Sequence, residues 1–124
     1  MSLGTWLLFL IAVAVGAPAR YAVDVLLSTA VGRAVPWGIL AVNVTGSFVL
    51  GVLTGLGLHH GFPSDAHLVL GTGFCGAYTT FSTFTFDTVR LAEAGRVGAA
   101  AVNLAVGTGG ALAAAAAGLA LTSW

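Results

Sequence analysis

The sequence predicts an all-α membrane protein: one domain over residues 1–124 with four transmembrane helices, at about 3–29, 36–58, 66–90 and 97–121, the third broken at mid-membrane. Three observations carry this. First, 58% of the residues are hydrophobic and only 6% are charged, where a soluble domain carries about 25% charged residues. Second, glycine and alanine fill a third of the chain and fall inside the apolar runs, where small side chains let membrane helices approach closely. Third, the polar turns are short, so four spans of about 20 residues take about 80 of the 124. What remains is too little for an extramembrane catalytic domain, and no enzymatic function is expected. Four arginines with no lysine cannot make the basic surface that nucleic acid requires, so the bilayer is the expected partner and nucleic acid is not.

The first span opens with the nearly unbroken apolar run Trp6 to Val15 and has no Arg before it. With further hydrophobic segments following, it reads as a membrane helix and not a cleaved signal. Pro18 removes a backbone donor within it and is expected to kink or loosen the helix there. Gly32-Arg33-Ala34 ends this segment, and Pro36 is suited to the first turn of the second span. His59, His60, Gly61, Pro63, Ser64 and Asp65 form the next loop. The third span differs from the others: Gly71 to Thr85 holds three glycines and six serines or threonines. Backbone released at bilayer depth must find protein, water or an ion, so two half-helices meeting near Gly76 to Thr80 are expected. The alternative is an intact helix whose hydroxyls bond back one turn. Residues 90–96 make a short hairpin, and an alanine-rich last span follows.

No hydrolytic or redox constellation is present in the sequence. His59 and His60 are adjacent and diverge by about 100° on a helix; with His67 they fit a solvated loop better than a metal site. Asp24, Asp87 and Glu93 are scattered over different segments, and Cys75 reads as a buried, inert thiol. What remains is a set of polar groups at membrane depth, which mark substrate paths more often than chance. Asn43 either bonds between helices or lines a pore. Phe81 and Phe84 share a helical face, as do Thr80, Thr83 and Asp87. Ring edges are electropositive, so the two phenylalanines with Asn43 and the hydroxyls offer donors and no fixed cation, which suits passage of a small anion. Carbonyls exposed at the break are hard oxygen ligands for a cation.

These residues resemble the small bacterial fluoride channels, the Fluc or CrcB family. Residues Gly73 to Phe84, reading GFCGAYTTFSTF, are similar to its signature G-F-C-G-x-x-T-T-F-S-T-F. Asn43 to Gly51 resembles its N-x-x-G-S-F-x-x-G, and Gly16 to Tyr21 its G-x-x-x-R-Y. The resemblance implies a multi-pass protein of the bacterial inner membrane, four-helix subunits paired as an antiparallel, dual-topology dimer, and passive fluoride export that limits toxicity. It assigns Asn43, Phe81 and Phe84 to the fluoride pore, with Thr80, Ser82 and Thr83 in the same motif. It also assigns Arg20 to the water-filled vestibule, and the carbonyls of Gly76 and Thr79 to a structural sodium ion at the dimer interface. For Arg20, a salt bridge to Asp24 is the competing or coexisting role.

The chain departs from that pattern at three places. Ile39 stands where a threonine follows the glycine, Asp87 stands for a glutamate, and Ala99 and Asn103 align with a Tyr and Ser of a polar track in the last helix. Arg33, Arg90 and Arg96 fall on one side of a four-span layout and no Arg on the other, apart from Arg20. A homodimer is the expected state, with a heterodimer of fixed orientation as the alternative. Two other functions compete. A proton-coupled small multidrug transporter needs a carboxylate central in its first helix, where only Asp24 is found, near the far end. A non-conducting structural subunit would use the Gly and Ala faces for packing alone.

Overall fold

The computed structural model describes all 124 residues, Met1–Trp124, as an all-helical chain. Helix α1 (Leu3–Val31) begins where the Ser2 side chain accepts the Thr5 N–H and runs unbroken through Pro18. The proline, expected to kink or loosen the helix, does not end it: the helix is continuous on both sides. Helix α2 (Trp37–His59) starts after Pro36, whose missing N–H costs nothing at a helix start. Helix α6 (Val97–Leu121) closes the chain. These three helices are long and apolar enough to cross a membrane.

The third segment is divided. Its first half winds through α3 (Ser64–His67), a π-helical stretch (Leu68–Cys75) and α4 (Gly76–Tyr78). The chain then turns extended at Thr79 (φ −79°, ψ 159°) and resumes as α5 (Ser82–Glu93). Neither half alone has the length of a span, so they cross the bilayer only as a pair. The interruption lies at Thr79 to Phe81. The expected stretch from Gly76 is corrected accordingly: Gly76 to Tyr78 remain helical, with Gly76 at φ −63° and ψ −39°. The π winding across the Gly71 and Gly73 region was not anticipated. Such bulges insert a residue into the helical ladder and are common at functional sites.

Small residues set how closely the helices pack. A methyl group on Gly51 would meet the Ala115 carbonyl oxygen at 2.2 Å, and one on Gly118 would meet the Phe48 carbonyl at 2.3 Å. Helices α2 and α6 therefore touch backbone to backbone. Gly16 performs the same service for α1, where a methyl would reach the Phe74 carbonyl at 2.6 Å. With no apolar driving force in lipid, such approach lets dispersion contacts hold the bundle. The apolar core proper is small, comprising Ile39, Leu40 and Phe84 with Val35 against them. Much of the remaining apolar surface, including most of α1, faces outward, as a bilayer or a second chain requires.

Candidate functional site: the interrupted third span

An interrupted helix leaves backbone groups without partners, and two neighbouring helices supply some of them. Thr80 N–H, which an unbroken helix would give to the Gly76 carbonyl, donates to Asn43 Oδ1 at 2.8 Å. Asn43 Nδ2 donates to the Thr80 carbonyl, also at 2.8 Å. One side-chain amide on α2 thus pairs with both polar groups of one residue at the break. From the other side, Arg20 on α1 donates to the Ala77 carbonyl at 2.5 Å. Arg20 does not pair with Asp24, whose carboxylate instead lies over the backbone of Gly38, with Oδ1 2.3 Å from where a methyl group would stand. The Thr80 hydroxyl accepts the Thr83 N–H at 3.2 Å and so caps α5. Cys75 keeps its carbonyl within the first half-helix, accepting both the N–H and the hydroxyl of Thr79.

The carbonyls of Gly76 and Thr79 receive no backbone N–H. Both residues line a cavity of about 210 Å³ with Gly46, Ser47, Leu50, Gly71, Thr72 and Cys75, and Gly76 is exposed. The lining has no carboxylate. Neutral carbonyl oxygens without a backbone donor are the kind of ligand a weakly charged oxygen site uses.

The two phenylalanines are separated by burial. Phe84 is only 4% exposed, lodged against Leu40 and Gly107, whereas Phe81 is 76% exposed. Their ring centroids lie 6.3 Å apart at 54°. The expectation that they present one aromatic face is therefore corrected. Phe81 sits in the interruption and projects outward, while Phe84 is held inside by α6. Thr80 is buried, Ser82 is exposed and Thr83 lies between these extremes. Their hydroxyls cluster around Thr80 Oγ1, 3.3 Å from both Ser82 Oγ and Thr83 Oγ1.

Thr83 also lines a second cavity, of about 240 Å³, at the end of the molecule where α1 meets α2 and α5 meets α6. Asp24, Asp87, Arg33, Arg90 and Arg96 line it as well. Carboxylates that are scattered in sequence are thereby brought together, a convergence the spacing did not reveal. Arg96 is tied to the Ala34 carbonyl, which links the two turns at this end.

The sequence reading also passed over the partner of Asn103. This side chain, 2% exposed, donates to Thr88 Oγ1 at 2.8 Å, and its own Oδ1 is buried without a partner. Thr88 and Phe84 are four apart on α5, and Asn103 and Gly107 four apart on α6, so polar and aromatic pairs stack along one seam. That matched spacing was the available signal. Of the histidines, His60 packs edge-on against Trp124, and His67 lies in α3 and not in the loop.

Comparison with known proteins adds to this geometry. A family model described as CrcB-like protein, Camphor Resistance (CrcB), matches residues 7–119. The fluoride-specific ion channel FluC 1 of Streptomyces avermitilis is 44% identical over 114 residues, covering 92% of each chain. The protein of the same name from Symbiobacterium thermophilum is 46% identical over 119 residues, 94% of this chain and 96% of its own. That of Leifsonia xyli is 51% identical over 83 residues, 67% of this chain and 61% of its own.

Proposed function

The chain belongs to the CrcB family, and on that premise we propose that it is a multi-pass membrane channel specific for fluoride, passing the anion passively along the seam between its interrupted third span and α2. It is a channel and not an enzyme. The observation that carries this reading is the contiguous polar set from the arginine-lined cavity through Thr83 and Thr80 to Asn43, with Phe81 beside it.

The steps follow from the side chains. Arg33, Arg90 and Arg96 raise the local concentration of anions at the mouth, while Asp24 and Asp87 prevent the positive charge from becoming a trap. Threonine hydroxyls and the second amide hydrogen of Asn43, which has no partner within the chain, replace part of the anion's hydration shell as it moves inward. Phenylalanine edges supply positive quadrupole without a fixed charge, so the anion is bound weakly enough to leave. A fixed cation at the constriction would hold it.

A single chain leaves this path incomplete, because Phe81 points away from its own bundle. The working unit proposed here is an antiparallel, dual-topology homodimer in which the exposed Phe81 of one copy completes the path of the other. A heterodimer with a homologous subunit is the alternative favoured by the gathering of Arg33, Arg90 and Arg96 at one end. In either assembly the carbonyls of Gly76 and Thr79, neutral and with no carboxylate beside them, would hold a structural sodium ion. Such an ion would supply positive charge beside these carbonyl dipoles.

Liposomes loaded with fluoride and carrying this chain alone test the function. Rapid fluoride release with chloride retained is expected. Fluoride retention by this chain both alone and with a homologous subunit added would overturn it, and release only with the added subunit would select the heterodimer.

A further inference from the structure

Arg20 is the one charged side chain bonded to the interruption, and its position bears on which cation the free carbonyls accept. Four of the five carbonyls from Gly76 to Thr80 have different fates. Ala77 accepts from the Arg20 guanidinium and Thr80 accepts from Asn43, whereas Gly76 and Thr79 receive no backbone N–H. Arg20 therefore takes one of the two carbonyls, Ala77 and Tyr78, that lie between the free ones in sequence. Its Nε is buried and has no partner. The close seat of α1 at Gly16, against the Phe74 carbonyl and Ala77 Cβ, fixes the helix that carries it. A full positive charge is thus held at the Ala77 carbonyl, one residue along the chain from Gly76.

We propose that Arg20 is a positioning residue that draws the Ala77 carbonyl away from the cation site of Gly76 and Thr79 and, through its fixed charge, restricts that site to monovalent cations. The inference rests on the cation reading given above. Two independent features support it. Coulomb repulsion from a guanidinium doubles when the cation's charge doubles. The cavity lining, from Gly46 to Thr79, also provides no carboxylate, and sites for Ca²⁺ or Mg²⁺ rely on carboxylate oxygens to offset dehydration.

The test uses the detergent-solubilised full chain, with thermal unfolding followed in NaCl, CaCl2 or choline chloride at matched ionic strength. Wild-type protein is expected to melt higher in NaCl than in choline chloride and to gain nothing from CaCl2. Arg20→Gln keeps an amide donor but loses the charge; CaCl2 should raise its melting temperature at concentrations about tenfold or more below the highest that leaves wild-type protein unaffected. Arg20→Lys, which keeps the charge, should retain the wild-type preference. Wild-type protein stabilised equally by Ca²⁺ and Na⁺ overturns the proposal even where the Gln variant does not fold. So does a folded Gln variant with unchanged discrimination, and in that case the sodium reading survives. Wild-type protein indifferent to Na⁺ brings down the sodium reading itself, and this proposal with it.

Discussion

Asn43 and Thr80 face each other across the interruption as an amide pair, each donating to the other at 2.8 Å. A side chain on α2 stands in for the helical turn that the third span lacks. Each bond within a membrane protein contributes about 0.6–2 kcal/mol, and stranding the Thr80 backbone adds about 1–3 kcal/mol. Asn43→Leu should therefore destabilise the fold by about 2–4 kcal/mol and abolish fluoride efflux. Asn43→Asp still accepts from Thr80 N–H but sets a carboxylate oxygen against the Thr80 carbonyl. It should be no more stable than the Leu variant. Chemical unfolding in detergent alongside liposome efflux measures both, and a fully stable Leu variant would show that the pair does not support the break.

Burial separates the two phenylalanines, and so do their expected variants. Phe84→Ala empties a site enclosed by Leu40 and Gly107 and should cost about 3–5 kcal/mol. Phe81→Ala removes a ring that is 76% exposed and should leave the stability of the single chain nearly unchanged. Both should lose efflux. Equal destabilisation by the two substitutions, measured on monomeric protein, would place Phe81 inside the bundle and contradict its exposure.

The apolar spans and the interruption were legible because both depend on local composition. Apolar runs ended by Gly32-Arg33 or by His59-His60-Gly61 read as membrane helices whatever they pack against, and the hydroxyl-rich stretch after Gly76 signalled weak helix. The position of the break by residue was less legible. Gly76 to Tyr78 stay helical because Asn43 and Arg20, distant in sequence, bond at Thr80 and Ala77 and so fix where the helix ends. The same applies to burial. Phe81 and Phe84 have the spacing of one face, but Gly107 on α6 admits only the second ring. Pro18, expected to kink or loosen the helix through its missing donor, does not end α1. Asp24 and Asp87 converge only because the two turns at one end pack together.

Glycines on α6 differ in what lies above them, which gives a graded series. A methyl at Gly107 would meet Phe84 Cε1 at 2.3 Å, a ring edge able to turn, whereas one at Gly51 on α2 would meet the Ala115 backbone oxygen. Gly51→Ala must force helices apart and should cost about 1–3 kcal/mol. Gly107→Ala should displace the Phe84 ring, lowering efflux by more than its loss of stability would explain. Gly109 faces open space, so Gly109→Ala should be neutral or slightly stabilising in a helix. Melting temperatures and efflux rates of the three variants check this order; an Ala at position 107 with wild-type efflux would dissociate the ring's position from conduction.

Asn103 offers the sharpest separation of stability from function. Its Nδ2 bonds to Thr88 Oγ1 at 2.8 Å, but its Oδ1 is buried with no partner, and the whole side chain is 2% exposed. A buried acceptor left unpaired costs about 1–3 kcal/mol, while one neutral hydrogen bond returns about 0.5–1.5 kcal/mol. The residue is thus close to neutral or unfavourable for folding, and its Thr88 partner loses little by its removal, because that hydroxyl already donates to the Phe84 carbonyl at 2.9 Å. Leucine has a similar volume and no polar atoms to bury. Asn103→Leu should therefore fold with stability equal to wild type or up to about 1.5 kcal/mol higher. If the seam of Phe84, Thr88, Asn103 and Gly107 belongs to the permeation path, the same variant should lose fluoride efflux despite its stability. A marked fall in melting temperature would instead assign Asn103 to the packing of α5 on α6. Stability and efflux both unchanged would remove it from the path.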